Sequence, residues 1–162
     1  MKPNLAHLFL TLFLQIITLH VAVDSPSVYK PVDDITLQCG FSGDQVNQQD
    51  GRTWSGDINS KFSPSQAAGS SSVLKAATPI SSSQVPYTTA RLSRSEFTYT
   101  FPLTSGQKFI RLYFYPTFYA AEFDRSKSLF SVEAGGFTLL RDFNASVTAA
   151  ASWSETVSRE FC

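Results

Sequence analysis

The stretch GQKFIRLYFYP, residues 106–116, sets Arg111, Tyr113 and Tyr115 at every second position. An extended chain points alternate side chains to opposite faces, so this spacing gathers a guanidinium and two phenols beside Phe109 on one side of a strand. That face has a definite chemistry. Sugar rings stack on flat aromatic surfaces with polar edges, and a guanidinium grips a carboxylate through two parallel hydrogen bonds. With residues of neighbouring segments, the ligand-binding set becomes Arg91, Arg111, Tyr113, Tyr115 and Tyr119, which suits an acidic polysaccharide or a peptide. The opposite face, Ile110, Leu112 and Phe114, reads as core. A sandwich also buries aromatics between its sheets, so the same tyrosines also read as core or support. The exposed loop aromatics Phe118 and Tyr119 are the exceptions.

Other chemistries find little support. Both histidines, His7 and His20, fall in an apolar leader. A mature chain without histidine has no Ser-His-Asp or Cys-His catalysis and no His-ligated zinc. Asp33-Asp34 reads as a solvated turn. Glu122 and Asp124 lie in a polar loop beside Arg125 and Lys127, without sign of the opposed carboxylates that glycoside hydrolysis needs. Asp44, Asn47, Asp50 and Gly51 are rich in oxygen ligands, but they lack the spacing and the closing Glu of a calcium loop. The glycines form no phosphate cradle. No catalytic residue, metal or cofactor is therefore assigned.

Composition bounds the rest. The chain has 162 residues, 43% hydrophobic and 16% charged, with a formal net charge of zero, which fits one domain and disfavours a nucleic-acid binder. Aromatics reach 14%. Lys2 followed by the apolar run Leu8–Val23, which Gln15 and His20 interrupt, reads as a signal peptide over residues 1–23 rather than a membrane span. Cleavage is expected between Ala22 and Ser25, giving a secreted, unanchored chain. In an oxidising compartment Cys39 and Cys162 have one pairing available. Against that pairing, Cys162 is the last residue, where chains fray.

The elements that must position these residues read as short strands. Residues 24–34 form an extended lead-in, with Pro26 and Pro31 blocking a helix. ITLQCG alternates Ile35, Leu37 and Cys39 inward against Thr36 and Gln38. RTWSGDI follows the Asp50-Gly51 turn, with Trp54 as its anchor. Residues 63–84, rich in Ser, Ala and Gly, read as a long excursion, which would cover part of the tyrosine face. YTTARL, EFTYTFPL, SLFSVEAG and FTLLRDF supply further strands, though Leu140 breaks the alternation of the last. Gly135-Gly136 turns the chain between the last two. No helix is expected. This spacing predicts an all-β chain, an antiparallel sandwich or jelly roll over residues 35–162. Asn144-Ala145-Ser146 is an N-glycosylation sequon, which places Asn144 at the surface of a secreted protein.

Seven of these segments occur in a familiar order: YKPVDDITLQCG, DGRTW, VPYTTAR, FTYTFPL, GQKFIRLYFYP, SLFSVEAGGFTLL and FNAS. Across roughly residues 28–148 the chain closely resembles the first malectin-like domain of plant receptor-like kinases of the FERONIA and Catharanthus type. The resemblance implies a malectin-like β-sandwich in a cell-surface receptor. It implies cell-wall polysaccharide or signalling peptides of the rapid alkalinization factor class as partners, the latter with small GPI-anchored co-receptors. It also implies that the sandwich stops one or two strands short after REFC. No segment here resembles the kinase part of such receptors, so the chain is read as a non-enzymatic recognition module. A secreted decoy or a non-functional truncated product is the alternative.

Overall fold

The computed structural model describes residues 30–66, 75–77, 84–119 and 123–162. The predicted signal peptide, most of the lead-in, most of the 63–84 excursion and Glu122 lie outside the described residues.

Short strands dominate. β1 (Leu37–Gln38) runs parallel to β3 (Thr53–Gly56), whose other edge pairs antiparallel with β2 (Asp44–Val46). β4 (Ser65–Gln66) pairs with β7 (Phe97–Thr98), and β5 (Lys75–Ala77) with β6 (Ala90–Leu92). β8 (Ile110–Phe114) pairs antiparallel with β11 (Val157–Phe161), while β9 (Phe130–Ala134) and β10 (Phe137–Phe143) form a hairpin. All these ladders except β1–β3 are antiparallel. The expected sandwich strands are therefore present, most of them shorter than their apolar patterns.

The hairpin shows why alternation fails at Leu140. Gly135 and Gly136 turn the chain at φ 57° and 83°, a two-residue turn that only residues tolerant of positive φ close easily. The register then shifts twice, so that Leu140 opposes Val132 and Phe143 opposes Phe130. Asp142, at φ 45°, takes up one of these irregularities. Phe137, at the turn end of β10, is 74% exposed. Phe143, Phe130 and Phe114 meet with ring centroids 5.3–5.6 Å apart. Phe114 thus occupies the apolar side of β8 as the alternation requires, and the guanidinium of Arg159 lies 5.7 Å from the Phe143 ring.

Three sequence expectations are corrected. The first concerns α1 (Ala145–Ala151), a helix where none was expected. Asn144 takes an extended conformation and its side chain accepts from Val147 N–H at 3.0 Å, an N-cap that starts the helix. Four alanines in seven residues then favour the helix, and Ala145 and Ala149 are buried. The chain leaves α1 through Trp153 at φ 50°, with Ser154 N–H on the Ala149 carbonyl at 3.0 Å and Trp153 N–H on the Ala150 carbonyl at 3.2 Å.

The second concerns β1. Gln38, expected outward, is fully buried, while Ile35, expected inward, is 37% exposed. The Gln38 amide donates to the hydroxyls of Thr88 and Thr89, and Thr89 in turn donates to the Cys39 carbonyl at 2.8 Å. Polar partners from the turn that precedes β6 thus draw the glutamine in, which local alternation cannot anticipate.

Asp33 is not a solvated turn residue. Its Oδ2 accepts from Thr104 N–H at 3.0 Å, Thr104 Oγ1 at 2.5 Å and Lys108 Nζ at 2.7 Å. The Lys108 and Thr104 hydrogen bonds hold its carboxyl down at about 2, against an ordinary 3.8. A depressed pKa stabilises the fold above the ordinary value and is lost as pH falls through the folded one. Denaturant unfolding of wild type and Asp33→Asn should therefore differ most at neutral pH. Their stabilities should converge between 3.8 and about 2. A gap that stays constant down to that pH would remove the latch.

Candidate functional site

The register of β8 on β11 builds the candidate site. Glu160 lies opposite Arg111, and Ser158 opposite Tyr113. Arg111 Nη2 donates to Glu160 Oε2, and Nη1 to the Tyr113 hydroxyl at 3.4 Å. These two partners hold the guanidinium above its ordinary range. The ion pair is open, with side chains 46% and 45% exposed. Water can therefore compete for both groups, and the pair contributes little to stability.

Beneath this polar edge the face is aromatic. The Tyr113 ring meets Trp54 edge-on at 5.4 Å and Tyr87 at 5.9 Å, and Tyr87 meets Tyr115 at 6.2 Å. Trp54 is only 5% exposed, as expected of an anchor. Burial pushes the Tyr87 phenol up. Tyr119 folds back on the strand end, donating to the Tyr115 carbonyl at 2.9 Å, and burial raises its phenol to about 12. It is half-buried, not an open loop ring, whereas Phe118 is exposed as expected.

Arg91 does not join this face. Its Nε and Nη2 form a fork on Asp57 at 2.8 Å each, and this hydrogen bonding raises its pKa. Asp57 is fully buried and also accepts from Gly40 N–H at 2.7 Å and the Tyr99 hydroxyl at 2.6 Å. Arg91 is thus a structural cation, and of the five predicted residues the structure brings together Arg111, Tyr113, Tyr115 and Tyr119. Sequence reasoning missed Trp54, Tyr87 and Glu160 as their companions. The alternation of VSREF could have marked Glu160 as facing one side, but its register against β8 is a tertiary fact.

The remaining candidates have structural uses. Asn47 Nδ2 donates to the Val85 carbonyl at 2.9 Å, and Asp50 accepts from Arg52 N–H at 3.0 Å. No cluster that could hold a metal ion occurs among the described residues. Asp124 accepts from Ser126 N–H and its hydroxyl, which lowers its pKa and caps the 3₁₀ turn Arg125–Lys127. Cys39 and Cys162 are both free thiols in this structure, half-buried and exposed respectively. Burial pushes the Cys39 thiol up, away from reactivity.

The malectin domain family model matches residues 35–162. The chain belongs to the malectin domain family. This malectin domain is 42% identical over 158 residues to receptor-like protein kinase FERONIA of Arabidopsis thaliana, covering 98% of the chain but 17% of that kinase. It is 35% identical to ANXUR1 of the same plant over 132 residues, 79% of the chain and 15% of that protein. The solved FERONIA structure superposes with a TM-score of 0.65 at 41% identity, over 78% of this chain and 32% of that one. The ANXUR2 extracellular domain gives 0.67 at 33% identity, over 79% and 32%. The all-β class expected from the strand pattern and the malectin-like fold implied by the resemblance are thereby shown, and the malectin domain is of the kind found in ectodomains of FERONIA-type receptor kinases. Among the described residues no helix is long and apolar enough to cross a membrane.

The two arginines make contrasting predictions for this malectin domain. Arg91→Ala leaves Asp57 buried without its countercharge, and breaking a buried pair costs about 3–5 kcal/mol. Arg111→Ala breaks only an exposed pair, worth about 0–1 kcal/mol. Urea unfolding of both variants checks the contrast, and equal losses would contradict the assignment of roles.

Proposed function

We propose that the chain is an extracellular recognition module of a FERONIA-like receptor, without catalytic activity of its own, and that it binds an acidic, pectin-like cell-wall polysaccharide at the β8–β11 face. The observation that supports this is the exposed Arg111–Glu160 pair beside Tyr113, whose ring meets Tyr87 and, through it, Tyr115. A uronate carboxylate can take the place of Glu160 on the guanidinium, exchanging one charge-assisted hydrogen bond for another. The half-buried rings of Tyr113 and Tyr115 on that side offer an apolar surface with a polar edge for the sugar. The chain would act outside the cell, either anchored within a longer receptor or secreted as a competitor of one. A rapid alkalinization factor peptide held with a GPI-anchored co-receptor is the family's other ligand class and is the second arm of the test.

Titration calorimetry of the chain with oligogalacturonides should give binding that weakens with added salt. Arg111→Ala should reduce affinity about ten- to a hundredfold, since hydrogen bonds to charged groups contribute roughly 1.5–3 kcal/mol. Because that variant keeps its fold, the loss reports on the ligand. Binding unchanged in Arg111→Ala and Tyr115→Ala would reject this face. Saturable binding of the peptide but not the sugar would reassign the ligand.

A further inference from the structure

Asn144-Ala145-Ser146 is the one N-glycosylation sequon in the chain, and the fold puts it to a second use. Asn144 Oδ1 accepts from Val147 N–H at 3.0 Å, and Nδ2 donates to the Ser126 carbonyl at 2.8 Å. The Asn144 carbonyl takes Thr148 N–H at 3.1 Å and Thr148 Oγ1 at 2.9 Å. Ala145 is buried, and Ser146 lies within the first turn of α1. One asparagine therefore starts the helix and ties it to the 3₁₀ turn Arg125–Lys127.

Glycan transfer makes opposite demands on that side chain. The Nδ2 nitrogen must attack the anomeric C1 of an oligosaccharide carried on a lipid pyrophosphate. The N–C1 bond forms, the C1–O bond to pyrophosphate breaks, and the lipid pyrophosphate departs. One Nδ2 proton passes to a base of the transferase. An amide committed to a carbonyl and followed by helical residues cannot be turned into a transferase site without unwinding the first turn of α1. After transfer the nitrogen keeps one N–H and Oδ1 stays an acceptor, so the modified residue retains the atoms for both bonds.

We propose that Asn144 takes an N-linked oligosaccharide, and that the transfer is completed before α1 forms because the folded cap withholds the acceptor amide. The inference rests on the extracellular reading above, so its test supplies a heterologous secretion leader to the full chain. The chain is translated with microsomes, and protease protection marks the translocated product.

In wild type the protected product should show a single mobility step that an N-glycan amidase removes. Ser146→Ala, which destroys the sequon and keeps the Asn144 side chain, should lack it. In a second arm the lipid-linked donor is blocked during synthesis and restored after folding. Wild type should then stay unmodified, whereas Thr148→Pro, which removes the N–H bonded to Asn144 and breaks α1, should be modified late. Protected wild type without the step would overturn the site. Late modification of folded wild type to the extent seen in Thr148→Pro would overturn the timing.

Discussion

Four donors converge on the buried carboxylate of Asp57: the Gly40 amide, two nitrogens of Arg91 and the Tyr99 hydroxyl. A charge without solvent access is tolerable only if it is paired and its oxygens are filled. The carboxylate therefore dictates where three separate segments must lie: the turn after β1, the strand β6 and the run that follows β7. Both oxygens accept two donors each, so withdrawal of Arg91 strands a buried charge and withdrawal of either other segment leaves an oxygen one donor short. Tyr99 is held as a donor, since burial, aided by the neighbouring Cys39 and Asp57, pushes its phenol far above the ordinary range. Its ring continues into Phe97 at 5.8 Å and Phe101 at 6.0 Å. The polar node and this aromatic row are thereby one unit.

A second constraint follows from β8. Both of its faces carry rings, one toward Phe130 and Phe143, the other toward Trp54 and Tyr87. The strand thus meets rings on two sides, which explains why aromatics stand on both faces of GQKFIRLYFYP, although Phe109 at its start is 75% exposed. Hydroxyls on Tyr113 and Tyr115 let the second side approach water at its margin. Arg111 sits there because Glu160 faces it across the ladder. The high aromatic content is the chemical expression of short strands: each two- to five-residue ladder offers few backbone bonds, and large rings supply contact between ladders.

Much of this was legible in the residues. Trp54, the inward Phe114, the Gly135-Gly136 turn and the strand-rich class all follow from local pattern. Three failures have physical causes. Gln38 points inward because Thr88 and Thr89, fifty residues away, offer hydroxyls. Sequence groups Arg91 with the ligand-binding residues because its partner Asp57, just past β3, lies beyond any local spacing. The helix escapes a strand-pattern reading because Asn144 reads first as a sequon. A cap before an alanine-rich run is equally legible in the eight residues from Asn144 to Ala151. The candidate site was half legible, since alternation gathers Arg111, Tyr113 and Tyr115, but only strand register brings Glu160 and the buried rings to them.

The two Arg–carboxylate pairs show how one chemistry serves opposite ends. Arg91 and Asp57 are 12% and 0% exposed, with fork geometry and further donors on the carboxylate. Any incoming anion would have to displace a desolvated partner and leave its charge buried, which no ligand contact repays. Arg111 and Glu160 are both nearly half exposed. Exchange there costs little, because Glu160 returns to water when it lets go. In the proposed mode of binding, Glu160 is a stand-in that keeps the guanidinium beside Tyr113 until a ligand carboxylate replaces it. Exposure of the carboxylate partner, not the identity of the arginine, separates the pair that holds the fold from the pair that can exchange.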